Sequence, residues 1–437
     1  GETNESICLK IENFTPFIYL ELPTNIKWDE GKAQLVGNKL NDLMGEKQPL
    51  KKVLVFKKRL YGAHLQKDST NYKSFPYLLC SFATRKDVKV LAFKLRKRIN
   101  VVGLGSLQLK IHESDADEIL QLTCCRKVPT AGWIEFHGKK IEESNKITLC
   151  DLEYKVSWKN IIPYETDKIS QPKILGFDIE VNSTNPTAMP KASNPGDVIF
   201  QISCVLCRYG DTPDEYEKHL LSLGQPDLDV VGDDVLVTMF ETEAALLEGF
   251  TEFIRQENPH LIAGYNILQF DIPYMIDRAR DQFCIFEFDK LGFHKYNHAR
   301  EKTIKWSSAA YKNQEFKYLD AEGRVFVDLL PLVQRDFKFN NYKLKTISEY
   351  FVGETKDPLS AKGIFKCYRI GIKKNSDGEY SNKSQKAMGI VGKYCVQDSA
   401  LVCLLMDKLQ TWVGLTEMAK TCNVPIFTLY TQGQQIK

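Results

Sequence analysis

Apolar and polar residues alternate in short runs over the first 165 residues, with turn residues between the runs. This pattern predicts short β-strands, because successive side chains of a strand point to opposite faces. One stretch, Lys32 to Leu43, is expected to be helical. Residues 1–165 are therefore predicted to form a small β-rich amino-terminal domain, mixed or barrel-like. The expected strands are 17–22, 52–56, 88–95, 133–136 and 148–158.

Pro163 to Pro172 is polar and charged, and is interpreted as a linker. The order after it is three strands, then helix–strand–helix–strand–helix. This order predicts an α/β unit at residues 166–412, a mixed five-stranded sheet with helices against it. The first three strands are expected to be antiparallel, with residues 211–234 as a long acidic connection. Residues 357–385 are interpreted as mostly exposed. The expected strands are 174–181, 198–206, 235–240, 261–265 and 324–327, and the helices are 243–256, 273–280, 344–351 and 390–409.

Composition narrows the class of protein only moderately. The 437 residues are 43% apolar and 26% charged, which is ordinary for a globular protein with a sizeable core. No apolar run approaches ~20 residues, so no membrane span is expected. The 12 cysteines are scattered, which favours an intracellular, reducing compartment and buried free thiols. Cys204 and Cys207 lie in an apolar run and are interpreted as core residues of a strand rather than zinc ligands.

Charge is distributed unevenly along the chain. Lys51 to Arg98 contains 14 Lys and Arg residues against 2 Asp, a net charge of +12, whereas Asp211 to Glu257 has a net charge of −11. A basic stretch of this density is typical of a surface that binds a polyanion such as nucleic acid. A solvated charged face is the alternative, and the charge count alone leaves both open.

The stretch 174–181 places two acids on one face of a predicted buried strand. Leu175, Phe177, Ile179 and Val181 share the apolar face. Asp178 and Glu180 share the other, where like charges repel. A divalent cation would offset this repulsion, since hard cations take carboxylate oxygens. An exposed strand edge with two solvated acids is the alternative.

Further acids follow two later strands and lie on the last predicted helix. Asp271 and Asp328 each stand where a helix begins, so helix capping explains both when each is considered alone. Tyr394 and Asp398 are four residues apart and share a helix face. Taken together, the carboxylates of Asp178, Glu180, Asp271 and Asp398 can hold two divalent ions about 4 Å apart for in-line phosphoryl displacement, with the Tyr394 hydroxyl orienting the attacking water.

These motifs resemble, in order, the three exonuclease motifs of family B DNA polymerases: Phe177-Asp178-Ile179-Glu180, Asn266 with Phe270-Asp271, and Tyr394 with Asp398. The segments 264–267, 342–348 and 433–437 also resemble delta-type polymerases of eukaryotes and of large nucleocytoplasmic DNA viruses. The resemblance implies a ribonuclease H-like fold and a proofreading 3′–5′ exonuclease of the DEDDy class. It covers residues from about 165 onward with high specificity, and the β-rich first part with weaker motifs.

The resemblance also implies roles for individual residues. Four acids are expected to bind two Mg²⁺ or Mn²⁺ ions, and Tyr394 to orient water. Asn266 and Phe270 match positions that contact a frayed 3′ end, with loop packing as the alternative. Lys295 to Tyr318 falls where relatives carry a β-hairpin that helps separate primer from template, although a loop fits equally well. The four expected metal ligands are Asp178, Glu180, Asp271 and Asp398.

No palm-domain motif is found in the 437 residues, so the chain is not expected to polymerise by itself, and 413–437 is expected to lead toward a palm domain. The expected partners are DNA, as a single-stranded 3′ end or primer–template, and the palm, fingers and thumb of the polymerase. A sliding clamp is a candidate partner, and no membrane is expected. The expected location is the nucleus or a cytoplasmic viral replication site. A free-standing DEDDy exonuclease and a non-catalytic nucleic-acid-binding module are the alternatives.

Overall fold

The computed structural model describes residues 5–58, 74–308, 312–354 and 359–431. The amino-terminal part contains eleven strands and three helices in this range. The strands are β1 (Ile7–Glu12), β2 (Phe17–Glu21), β3 (Lys51–Lys57), β4 (Phe75–Ser81), β5 (Ile99–Val101), β6 (Gly105–Leu107), β7 (Lys110–His112), β8 (Ile134–Phe136), β9 (Lys139–Lys140), β10 (Leu152–Ser157) and β11 (Ile161–Pro163). The helices are α1 (Glu30–Met44), α2 (Arg85–Lys94) and α3 (Glu118–Arg126).

The amino-terminal part has a hydrophobic core of its own, built from buried side chains between Ile18 and Leu109. Its largest sheet has four strands in the order β3-β4-β2-β7. Strand β1 belongs to a separate sheet, β1-β10-β9, in which it pairs in parallel with β10 and so joins the start of the amino-terminal part to its end. The expected helix at 32–43 is confirmed as α1.

The prediction that residues 88–95 form a strand is wrong, because they lie in and beside helix α2. Thr84 caps this helix by accepting a hydrogen bond from the Asp87 N–H. Val88, Leu91 and Leu95 are buried at helical spacing. The run contains so many apolar residues that it fits both the alternation of a strand and the spacing of a helix. The capping residue Thr84 is the signal that distinguishes the helix from the strand.

The second part contains the remaining strands and helices. The strands are β12 (Lys173–Val181), β13 (Ile199–Arg208), β14 (Glu217–Leu223), β15 (Val235–Phe240), β16 (Leu261–Gly264), β17 (Arg300–Ser308), β18 (Lys312–Asp320) and β19 (Val325–Asp328). The helices are α4 (Leu228–Val231), α5 (Glu243–Glu257), α6 (Asp271–Asp281), α7 (Ile285–Phe288), α8 (Leu329–Asp336), α9 (Leu344–Phe351), α10 (Ala361–Gly371), α11 (Asn382–Lys408), α12 (Thr411–Cys422) and α13 (Thr428–Thr431).

The α/β fold is confirmed, but the mixed sheet has six strands rather than five, in the order β15-β14-β13-β12-β16-β19. The additional strand β14 lies inside the segment that was interpreted as a long acidic connection. Its acidic neighbours masked the buried run from Leu220 to Leu223. The antiparallel trio is therefore β12-β13-β14, and β15 runs parallel to β14.

Helices cover both faces of this sheet. Helix α5 packs on one face, where Phe250 contacts Phe177 with ring centroids 5.4 Å apart. Helix α11 packs on the other face and on α10. The interpretation of residues 357–385 as mostly exposed is confirmed for most of the described residues, 359–385, although α10 buries Ile364 and Phe365. By length and composition α11 alone among the described helices is apolar enough to cross a membrane, and 67% of its most apolar window is buried inside the fold.

Candidate active site

Strand β12 directs its two acids toward helix α11. On the opposite face of the strand, Phe177 contacts helix α5. On the acidic face, a Cβ placed on Gly176 would lie 2.6 Å from the Cys403 sulfur and 2.8 Å from the Ser399 carbonyl oxygen. Only glycine allows such a close approach, so α11 lies directly on the strand that carries Asp178 and Glu180.

The two strand acids lie together, as the alternation predicts. Glu180 is 6% exposed and Asp178 is half-buried. Their carboxylate oxygens and the sulfur of Cys395 on α11 all lie within 4.8 Å of one another. Burial raises the pKa of the Cys395 thiol, and the charges of Glu180 and Asp178 raise it further. The two carboxylates thus form a compact, negatively charged cluster with oxygen donors suited to a divalent cation.

Asp271 approaches the same strand from the other side. It is the first residue of α6 and is 3% exposed. Its carboxyl accepts a hydrogen bond from the backbone N–H of Ile179, which lies between the two strand acids. Burial raises the pKa of Asp271, and the charges of Asp328 and Asp398 add to the shift. This carboxyl therefore belongs to the acid cluster and does not simply cap its own helix.

Helix α11 supplies the last acid and the tyrosine. Asp398 is 4% exposed and Tyr394, one turn earlier, is half-buried. Asp398 lies close enough for its charge to raise the pKa of both Cys395 and Asp271. Leu401 and Leu405 continue the same helix face toward the carboxyl end of α11 and are buried in the core. All four predicted carboxylates are thus brought to one place, between β12, α6 and α11.

The loop between β16 and α6 is held by Asp328. Asp328 accepts hydrogen bonds from the N–H groups of Asn266 at 2.8 Å and Leu268 at 3.0 Å. It also accepts the Leu330 N–H at 3.0 Å, and so caps α8 as the capping interpretation predicts. Asn266 has a φ of 71°, a left-handed conformation that asparagine tolerates better than most residues. Phe270 is half-buried and contacts Tyr274, with ring centroids 5.6 Å apart.

The basic and aromatic segment between 295 and 318 contains the first strand and most of the second strand of a β-hairpin. Strands β17 and β18 pair from Arg300 with Asp320 to Ser308 with Lys312. Lys317 joins the hairpin to the loop between β16 and α6 and to α6 itself. Its N–H donates to the Leu268 carbonyl oxygen at 3.2 Å, and its Nζ lies 2.5 Å from Asp277 on α6. The hairpin interpretation is confirmed, while Tyr311 and the segment 433–437 lie outside the described residues.

Sequence reasoning missed the polar groups that hold this cluster together. Ser203 and Ser399 are fully buried between β13 and α11, and neither belongs to a motif. The buried ion pair of Arg278 with Glu243, 2.9 Å between Nε and Oε1, was also missed. A signal did exist for Arg278, because a cation in a helix among apolar residues implies a buried partner.

The fold and the acid cluster define a class of protein: an α/β nuclease in which carboxylates from a central strand and two helices meet. Comparison with known proteins gives the family. Residues 109–347 match the model of "DNA polymerase family B, exonuclease domain". This match covers more than half of the chain, and the chain therefore belongs to the family B DNA polymerases, through the 3′–5′ exonuclease domain of that family.

Two sequence relatives agree with this family, and one solved structure shares the fold. The chain is 44% identical to DNA polymerase 120R of Invertebrate iridescent virus 3, over 100% of the chain and 39% of the relative. It is 29% identical to the DNA polymerase delta catalytic subunit of Oryza sativa subsp. japonica, over 100% of the chain and 38% of the relative. The fold is similar to the family B DNA polymerase of Pyrobaculum calidifontis, with a TM-score of 0.62 and 16% identity over 98% of this chain and 45% of that one. The chain thus spans about two fifths of the length of the sequence relatives.

Proposed function

We propose that this chain is the amino-terminal and proofreading part of a replicative DNA polymerase, and that it removes mispaired nucleotides from the 3′ end of DNA as monophosphates. The observation that carries the proposal is the meeting of four acids from three separate elements around strand β12. A structural role for the acids explains this poorly, because bringing like charges together in a buried place costs free energy.

The donor set fits two divalent cations, for which we propose Mg²⁺ or Mn²⁺. Crowded carboxylate oxygens are the ligands that these hard ions prefer. Bound ions supply the positive charge that activates a water molecule and stabilises the departing 3′ oxygen. The residues that would hold them are Asp178, Glu180, Asp271 and Asp398.

The remaining site residues would handle water and the DNA end. The Tyr394 hydroxyl lies one helical turn from Asp398 and would orient the attacking water by a hydrogen bond. The Asn266 amide would hydrogen-bond the base or sugar of the last nucleotide. The Phe270 ring would stack on an unpaired base, a contact that tolerates any base sequence.

The test is digestion of a single-stranded oligonucleotide labelled at its 5′ end, in magnesium and then in excess chelator. We expect the wild-type chain to shorten the oligonucleotide stepwise from its 3′ end, only when magnesium is present. The double variant Asp178→Ala, Glu180→Ala is expected to lose this activity. Wild-type activity in the double variant would overturn the assignment.

The chain offers a matched control in the linker. Glu165 and Asp167 have the same acid–any–acid spacing and are exposed. The double variant Glu165→Ala, Asp167→Ala removes the same charge and should digest DNA at the wild-type rate. DNA affinity in chelator is measured for all three proteins, because a non-catalytic binding module would bind DNA and never release nucleotides.

We further propose how the chain is organised and what it works with. Residues 1–165 form the amino-terminal domain, 166–412 the exonuclease domain, and 413–437 lead toward a palm domain. Palm, fingers and thumb are the proposed partners for polymerisation, and a sliding clamp is a further one. The stretch from Lys51 to Arg98, of which 59–73 lie outside the described residues, would contact the DNA backbone without reading sequence. The proposed place of action is a site of DNA replication in the nucleus or the infected cytoplasm.

A further inference from the structure

A buried serine lies directly opposite the first acid of the cluster. Ser203 on β13 pairs in register with Asp178 on β12 and is 0% exposed. Partners in an antiparallel pair direct their side chains to the same face of the sheet. Ser203 therefore faces α11 beside Asp178, at the point where the helix crosses the acidic face.

The hydroxyl of Ser203 makes every hydrogen bond that a hydroxyl can make. It donates to the Cys395 carbonyl oxygen at 2.8 Å. Its single proton is then used, so the bond to the Ser399 hydroxyl at 2.6 Å must be donated by Ser399. Its second lone pair faces the Cys395 sulfur at 3.2 Å. All three bonds go to α11, two of them to a residue adjacent to Tyr394 and one to a residue adjacent to Asp398.

The same thiol also reaches the acidic strand. The Cys395 sulfur lies 3.6 Å from the Asp178 carbonyl oxygen, which gives the S–H a second acceptor on β12. Ser203, Cys395 and Ser399 thus connect three elements at the level of Asp178. A buried polar network with all members satisfied rigidifies the elements that it joins.

We propose that Ser203 is a positioning residue of the exonuclease site, which locks α11 against β13 and so fixes Tyr394 and Asp398 relative to Asp178 and Glu180. The inference rests on the proposed nuclease function. Ser203 is fully buried, so DNA cannot reach its side chain. It acts through the helix, where a displacement of ~1 Å at a catalytic group can cost about a hundredfold in rate.

A matched control exists one strand away. Ser222 on β14 is also 0% exposed and pairs in register with Gln201, so it faces the same side of the sheet. Its hydroxyl bonds the Leu223 carbonyl oxygen at 3.1 Å and Gln201 Nε2 at 3.2 Å. Ser222 therefore has no bond of its own to α11. It reaches the helix only through Gln201, whose Nε2 also donates to the Met388 carbonyl oxygen at 3.1 Å, six residues before Tyr394. Ser203→Ala and Ser222→Ala therefore each remove one buried serine hydroxyl, but only the Ser203 hydroxyl bonds α11 directly.

The test compares wild type, Ser203→Ala and Ser222→Ala in the 437-residue chain. For Ser203→Ala we expect a fall in kcat of roughly ten- to a hundredfold on single-stranded DNA, with KM and oligonucleotide affinity in chelator unchanged. The rise in melting temperature on adding magnesium should also shrink. Without metal, Ser203→Ala and Ser222→Ala should lower the melting temperature by similar amounts. Ser222→Ala should keep the wild-type kcat. Equal kcat for the two variants would overturn the proposal.

A second variant guards against misfolding of the first. Ser399→Ala removes the partner hydroxyl and should lower kcat in the same way. Since both changes break one network, the double variant should have a kcat only slightly lower than that of either single variant. If the two losses in kcat multiply fully, the two serines do not act through one network. If the wild-type chain digests no DNA, the proposed function fails. The Ser203 proposal then stands or falls on the magnesium-induced rise in melting temperature.

Discussion

The connections that follow β16 and β19 each place an aspartate at the start of a helix, but the two aspartates differ in what they contact. Both strands are parallel neighbours in the sheet, and both lead to a helix with an aspartate at its start. Asp271 is 3% exposed and Asp328 is 1% exposed, so burial does not distinguish them. Asp328 accepts three backbone N–H groups, whereas Asp271 accepts the N–H of Ile179 on β12.

This comparison shows what separates a structural acid from a candidate metal ligand. Both carboxyls have raised pKa values because they are buried, and the pKa of Asp328 rises to about 6. The charges of Asp328 and then of Asp398 raise the pKa of Asp271 further, whereas three backbone hydrogen bonds lower the pKa of Asp328. Asp328 accepts three backbone N–H groups, while Asp271 accepts two, its own and that of Ile179, and lies within range of the charges of Asp328 and Asp398. The direction of the carboxyl, rather than its burial or its place in the helix, therefore indicates its role.

The largest expected effect is on catalysis, at Asp271. Asp271→Asn should lower the nuclease rate by at least about a hundredfold, since replacing even residues that support metal ligands costs 10–100-fold. The melting temperature without metal should hold or rise, because one member of a group of repelling acids becomes neutral. Digestion assays and thermal melting measure both. The exposed Asp281→Asn on the same helix is the control, and a fully active Asp271→Asn variant would remove the distinction between the two aspartates.

The second effect is on stability, at Asp328. Asp328→Ala leaves three N–H groups without their acceptor, and one unsatisfied buried donor already costs ~1–3 kcal/mol. We expect the free energy of unfolding to fall by about 3 kcal/mol or more, measured by urea denaturation. Asp336→Ala, at the exposed end of the same helix, should change it by less than about 0.5 kcal/mol. A stable Asp328→Ala variant that has lost its magnesium-induced stabilisation would reverse the roles given to the two aspartates.

The smallest effect separates backbone from side chain at Asn266, the residue that Asp328 holds. Its φ of 71° is costly for most side chains and free for glycine. Asn266→Ala should therefore be less stable than Asn266→Gly by about 1 kcal/mol in urea denaturation. Both variants lose the amide, so both should show a raised KM for single-stranded DNA. A KM that stays at the wild-type value in Asn266→Gly would restrict Asn266 to a backbone role.

The positions of the acids were easier to predict than the fold around them. Asp178 and Glu180 follow from strand alternation, and Tyr394 and Asp398 from helical spacing, because both patterns are local. Strand β14 was missed because its acidic neighbours obscured the buried run. Helix α2 was predicted as a strand because its many apolar residues fit the spacing of either element. Ser203 was not predictable, because its role depends on which helix crosses its strand, and that is settled by tertiary packing.

The distance along the chain between the two halves of the acid cluster matters for biosynthesis. Asp178 and Glu180 are made early, and Asp398 follows 220 residues after Asp178. At ~5–20 residues per second, a ribosome needs roughly 10–40 s to bridge that interval. The proposed nuclease site therefore cannot be complete before α11 has been made and packed onto β12.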